Sequence, residues 1–165
     1  MDEAAHDAVT ARLPGEFTVV VVGIRLNRWW RLDHWLWARR AMRGLMRDLE
    51  SDPSWGLLGS QQWSGARFLT IVQYWRSFED VVRWSRVPKG AHRTVWTEYT
   101  RRLAASGAVG IWHETYVAGP GRYETVYTNV PPTGLGRVAT PEIAIKRLGT
   151  AVGRMRATID PTGPS

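Results

Sequence analysis

The sequence predicts an α+β fold whose elements run β-α-β-β-α-β, followed by an extra C-terminal strand and helix. Three observations carry this. Phe17–Leu26 (FTVVVVGIRL) is β-branched and almost wholly apolar, the mark of a buried central strand. Trp35, Ala38, Met42, Leu45, Met46 and Leu49 recur at helical spacing and make one apolar stripe across residues 35–50. Residues 55–63 and 66–75 read as two strands meeting at Ser64-Gly65, a hairpin turn signal.

The other elements follow in order. Ser51-Asp-Pro-Ser54 breaks the first helix. On the strand at 66–75, Phe68, Thr70, Val72 and Tyr74 face one way, and Leu69, Ile71, Gln73 and Trp75 the other. Ser77, with Asp80 three positions on, is a helix start, and that helix meets Pro88. A second helical stretch runs from 88 to about 104 and ends before Ser106-Gly107. Residues 108–118 extend again, Gly119-Pro120-Gly121 turns the chain, 122–130 form the extra strand, and PPTGLG at 131–136 is a loop. Thr140-Pro141-Glu142 opens a last helix with Ile145, Leu148, Val152 and Met155 as its apolar face. The expected organisation is a flexible segment at 1–16, a core domain at 17–139, a helix at 140–158 and a disordered tail at 159–165.

This order is the ferredoxin-like split βαβ unit, an antiparallel sheet with both helices on one face. The other face is left open. Its apolar residues need cover, and a homodimer packed sheet to sheet supplies it. The pocket is then expected between the sheet and its own helices.

Composition narrows the chemistry. The chain has 165 residues, enough for a core without staples, and no cysteine. That excludes disulfide frameworks, thiolate metal sites and cysteine nucleophiles. The acidic N-terminus lacks the apolar core of a secretory signal and no run is long enough to span a membrane, so a cytoplasmic location is expected. A net charge of +7 invites a nucleic-acid reading. The 20 arginines against 2 lysines are scattered, however, which argues for coding bias rather than a binding face. The exception is RLNRWWRLDHWLWARRAMRGLMR at 25–47, which mixes basic and aromatic residues as single-strand binders and membrane-surface helices do. The solvated face of an amphipathic helix is the favoured account of it. Ten tryptophans exceed what one core of this size needs, so some should face a hydrophobic ligand or a partner subunit.

YWRSFE at 74–79, His92 with Trp96 and Tyr99, VGIWHETY at 109–116 and YETVYTNVPPTGLG at 123–136 resemble the family of the fumagillin-pathway monooxygenase, within the dimeric α/β-barrel superfamily. The resemblance covers about residues 17 to 139. It implies a ferredoxin-like dimer and oxidation of a small apolar metabolite. The superfamily also holds cofactor-free monooxygenases, haem-degrading enzymes, chlorite dismutases and haem-containing aldoxime dehydratases, so the implied cofactor is either none or haem b. Haem-degrading members use an asparagine on the first strand, a tryptophan in the second helical region and a histidine ligand soon after. Asn27, Trp84 and His92 occupy similar places here.

His92 shares a helical stripe with Val95, Trp96, Tyr99 and Leu103, so its ring should turn towards the sheet. There it can exchange a proton near neutral pH or ligate haem iron. A buried histidine bonded to a carbonyl or a tyrosine is the competing reading. His113 and Glu114 alternate in direction, so only one of them can enter the pocket. If Glu114 enters, it needs a partner such as Arg25 or Arg67. The expected candidates for chemistry are His92, His113 and Asn27. The expected pocket walls are Trp84, Trp96, Tyr99, Tyr74, Trp75 and Trp112. His6 and His34 are assigned no role. No carboxylate–histidine cluster has metalloenzyme spacing. PPTGLG lacks the phosphate-loop ending and the paired-glycine pattern, and better suits a rigid cover over the pocket mouth or dimer edge. Three readings remain: a monooxygenase acting on a hydrophobic secondary metabolite, a haem-binding enzyme with His92 as proximal ligand and haem-degrading, peroxide or aldoxime chemistry, and a non-catalytic module, either a dimer that binds a hydrophobic ligand or a basic surface that meets anionic membrane or nucleic acid.

Overall fold

The structure, a computed structural model, describes residues 8–143 and 149–159. The chain divides into two compact units. One is drawn from residues 19–116, the other from both ends of the chain, up to 18 and from 117 onward. The elements are β1 (Val9–Arg12), β2 (Phe17–Leu26), α1 (Leu32–Glu50), β3 (Leu57–Ser64), β4 (Phe68–Trp75), α2 (Phe78–Ser85), α3 (Ala91–Arg102), β5 (Val109–Ala118), β6 (Thr140–Ile143) and α4 (Ala151–Ala157).

The central unit is the ferredoxin-like fold. Its four strands lie in the order β3-β4-β2-β5, the arrangement that β-α-β-β-α-β produces when each helix crosses over one strand. β3 and β4 pair antiparallel from Gln62↔Ile71 to Ser60↔Gln73, with an irregularity between Leu57 and Gly59. The alternation expected for β4 holds. Leu69, Ile71, Gln73 and Trp75 are buried against the helices, while Phe68 on the other side is largely exposed. Those residues meet the α1 stripe of Trp35, Ala38, Met42, Met46 and Leu49, with Val20, Ile24, Leu26, Leu103 and Val109 completing one core. The stripe explains why α1 forms. Its apolar positions fall on one face, and burial of that face rather than propensity holds so long a helix.

α2 begins where Ser77 and Asp80 predict. The Ser77 hydroxyl accepts a hydrogen bond from the Asp80 backbone N–H, and the Asp80 carboxylate is buried between Arg76 (2.8 Å) and Arg83 (2.7 Å). The Arg76 hydrogen bond holds that carboxyl below the usual carboxylate range, against the opposing pull of burial. Gly56 has a left-handed φ of +84° and lies against the same carboxylate, so a side chain there would strike it.

Three sequence expectations about the ends need correction. Residues 9–12, placed in a flexible segment, form β1, paired with β6 from Val9↔Ile143 to Arg12↔Thr140. Thr140-Pro141-Glu142 lies in β6 rather than opening a helix; α4 starts at Ala151, where the Thr150 hydroxyl accepts from the Gly153 N–H. Val152 and Met155 of its expected apolar face are exposed, while Ile145 and Leu148 lie outside the described residues. The extra strand expected at 122–130 is irregular, with a single bridge between Tyr127 and Val9. Side-chain bonds hold it instead: Thr125 accepts from Ala11 N–H at 2.7 Å, and Tyr123 accepts from Leu13 N–H at 2.9 Å. The pairing of β1 with β6 joins segments about 130 residues apart, which no local pattern announces.

Candidate functional site

A cavity of about 410 Å³ lies in the central unit between the sheet and its helices, within the range of small-molecule sites. β2 contributes Val20, Val22 and Ile24 to it, and α1 contributes Trp37, Ala41, Met42 and Leu45. Phe78, Val81, Val82, Trp84 and Ser85 come from α2, and His92, Val95, Trp96 and Tyr99 from α3. Gln73 and Trp75 of β4 and Ile111, His113 and Thr115 of β5 close the sheet side.

Polar groups are few, and several are already engaged. The Gln73 amide accepts from the Trp75 indole N–H at 3.0 Å and donates to the Met46 sulfur at 3.2 Å. The Ser85 hydroxyl donates to the Val82 carbonyl, and the Tyr99 hydroxyl donates to the Val109 carbonyl at 3.1 Å. What remains is His92, His113, Thr115 and the indole N–H groups of Trp37, Trp84 and Trp96. Among the described residues no arginine or lysine lines the cavity.

His92 turns towards the sheet as its stripe requires. It is the second residue of α3, and its ring packs against Trp84 with centroids 5.2 Å apart; Trp84 in turn packs against Trp75 at 5.9 Å. The His92 Nδ1 is buried and meets no partner at hydrogen-bonding geometry. Burial pushes the imidazolium pKa below its ordinary value. The Ser85 backbone opposes that shift, and the charge His113 carries when protonated adds to it. A neutral ring nitrogen in a dry, aromatic wall can accept a proton from a bound O–H or lend one back.

The remaining expectations divide cleanly. Of His113 and Glu114, His113 lines the cavity. Glu114 lies outside and accepts from the Tyr116 hydroxyl at 2.6 Å, with neither Arg25 nor Arg67 as its partner. Arg67 instead donates to the Leu26 and Asn27 carbonyls. Trp84, Trp96, Tyr99 and Trp75 line the cavity as expected. Tyr74 and Trp112 do not. Each sits next to a cavity residue on its strand and so points to the opposite face, where the Trp112 indole lies over Gly23. Asn27 is exposed at the end of β2, its amide donating to the Gly107 carbonyl at 3.1 Å, and is not part of the wall. That separates it from His92 and Trp84. His34 pairs with Arg31 and Asp33 away from the cavity; His6 lies outside the described residues. The loop at 131–136 packs on Tyr127, with the Gly136 N–H donating to the tyrosine oxygen at 2.9 Å. Gln73 and Ser85 were missed. The inward alternation of β4 already carried Gln73, whereas Ser85 had no signal beyond its place in α2. Among the described residues no group of three or more histidines and carboxylates could hold a metal ion. No helix among them is long and apolar enough to cross a membrane.

Fold and cavity together define a ferredoxin-like α+β protein with an aromatic-lined cavity between its sheet and helices. The chain belongs to the monooxygenase af470-like family, whose model matches residues 17–135. It is 30% identical over 141 residues to monooxygenase af470 of Aspergillus fumigatus, covering 79% of this chain and 50% of that protein. The chain thus spans about half the length of the curated relative it matches. Two solved aldoxime dehydratases share the fold. One, crystallised with butyraldoxime, is 19% identical with a TM-score of 0.61 over 85% of this chain and 42% of its own. The other is 17% identical with a TM-score of 0.63 over 95% and 45%.

Proposed function

We propose that this chain acts as a monooxygenase-type oxidoreductase on a small hydrophobic molecule, with His92 as the residue that moves the substrate proton. The observation that carries the reading is the buried, unpartnered Nδ1 of His92 in a cavity whose other walls are mostly apolar. Such a site favours a largely apolar molecule with one acidic O–H, a phenol or enol. Neutral His92 takes that proton, with His113 as the second base in reach of the cavity, and the resulting phenolate or enolate is electron-rich enough to pass an electron to oxygen. The tryptophan wall keeps water from the intermediate. Membership in a family named for a monooxygenase supports the reaction class.

Haem fits this cavity at one point and fails at another. His92 is a suitable ligand, but the walls offer no arginine or lysine for the two propionates. No step is therefore routed through haem, and haemin titration should give no Soret band that depends on His92. The direct test is oxygen uptake and product analysis with lipophilic phenols and enols. Turnover should require oxygen, and Ala41→Trp, which fills the cavity from α1, should abolish both binding and turnover while the fold survives. Saturable binding without oxygen uptake for any of them would leave a ligand carrier in place of the oxygenase.

The same reading includes a second copy of the chain on the open face of the sheet, where Trp63, Tyr116 and Trp112 (41% exposed) stand out of the surface. Sedimentation equilibrium should give twice the chain mass, and Trp112→Asp should return it to one; a monomer from the start would end this part of the proposal.

A further inference from the structure

The turn between β2 and α1 carries an exposed aromatic tip that the pocket chemistry does not use. Trp29 is 69% exposed and Trp30 60%, and their rings touch each other edge to face at 5.9 Å. Leu32 (57%) and Leu36 (52%) continue the apolar surface one helical turn apart on the outer side of α1. Such a group of large side chains in water is unfavourable unless something covers it.

The tip is presented rather than slack. At its base the Asn27 and Arg28 N–H groups both donate to the Ala108 carbonyl, at 2.9 and 3.3 Å, and Arg67 clamps the Leu26 and Asn27 carbonyls. The backbone is fixed while the indoles stand outward. Charge around the tip is one-sided. Arg28 precedes it, and Arg40 and Arg43 follow on the exposed side of α1. Within residues 28–43 the one acid, Asp33, is held in an ion pair by Arg31. The acids Asp48 and Glu50 lie at the far end of the helix, about 24 Å along its axis.

We propose that this tip docks the protein on an anionic bilayer surface, with Trp29, Trp30, Leu32 and Leu36 entering the headgroup boundary and the arginines meeting lipid phosphates. Tryptophan seats at that boundary because its ring is apolar and its N–H is not. Arginines beside it add attraction to anionic lipids, which is why amphipathic surfaces of this composition lie on membranes rather than across them. The occupant argued from these residues is a lipid surface. A nucleic acid would be met by the arginines but leaves the two leucines without a role, and a second copy would bring like charges together.

The experiment is co-sedimentation of the full chain with phosphatidylcholine vesicles, with and without phosphatidylserine, across a salt series. Binding should require phosphatidylserine and weaken with salt. Trp29→Ser with Trp30→Ser should weaken it about tenfold or more, leaving thermal melting and sedimentation mass in lipid-free buffer unchanged. Arg40→Glu with Arg43→Glu should remove the phosphatidylserine dependence. Should the tryptophan pair not fold, Leu32→Ser with Leu36→Ser tests the same tip. No binding to either vesicle, or equal binding by the variants, overturns the proposal. So does a loss of self-association in the tryptophan variant without lipid, or single-stranded RNA that displaces the protein from vesicles.

Discussion

Replacing Trp75 with alanine should destabilise the protein by about 3–5 kcal/mol, the usual cost of emptying a fully buried aromatic site. Trp75 is 0% exposed, packs against Trp84 at 5.9 Å and belongs to both the core and the cavity wall. Its indole N–H also satisfies the Gln73 carbonyl oxygen at 3.0 Å, so the variant strands a buried acceptor as well. Against a typical total of about 5–15 kcal/mol, that is a large share of the stability. Urea unfolding, read as a shift in midpoint at constant slope, measures it. Trp112→Ala is the control. That indole rests over Gly23 on the open face, and its loss should cost only about 1 kcal/mol in the isolated chain. Equal losses at the two sites would mean that the sheet faces are not as different as described.

The second large effect is on turnover. With His92 moving the substrate proton, His92→Ala should lower kcat/KM by about 10²–10⁴, the range of a positioned general base, while a lipophilic probe still binds. The pH profile distinguishes this from a packing defect. Because burial lowers the imidazolium pKa, the base is available at lower pH than a free histidine, and the rising limb of kcat/KM should fall below about 6.5. The stability sign follows from the same shift. As pH falls past about 6.5 the unfolded chain takes up a proton before the folded one does, so folding loses stability from there down to the folded pKa. The variant should lose both the limb and that part of the acid sensitivity. A profile unchanged by the substitution would move the proton transfer to His113 or out of the pocket.

Much of the central unit was legible because its signals are local. A ten-residue run that is β-branched or apolar at all but Arg25 defines β2 wherever the chain goes, and the Trp35-to-Leu49 stripe defines α1 together with the face it buries. The placement of His92 followed from offsets within one helix. Side choice along a strand was harder. Alternation says that Tyr74 and Trp75 part ways, and that Trp112 and His113 do, but not which of each pair meets the helices. Both members of each pair had been assigned to the pocket. Asn27 rested on another ground, the resemblance to haem-degrading enzymes, whereas in the structure its amide joins β2 to the turn before β5. The ends of the chain were least legible, because β1 and β6 exist only through each other.

His92 and Trp84 come from different helices, and only the short corner at 86–90 separates them. That corner bends through a positive φ of +59° at Lys89 and a close approach of Gly90 to Val87. His92 lies in the first turn of α3, where the helix's own hydrogen bonds have not yet taken hold, so its bearing is set by the corner more than by the helix body. In evolutionary terms the corner should tolerate changes of residue at its exposed positions and reject changes of length. An insertion or deletion there would leave a folded protein whose histidine no longer rests on its tryptophan.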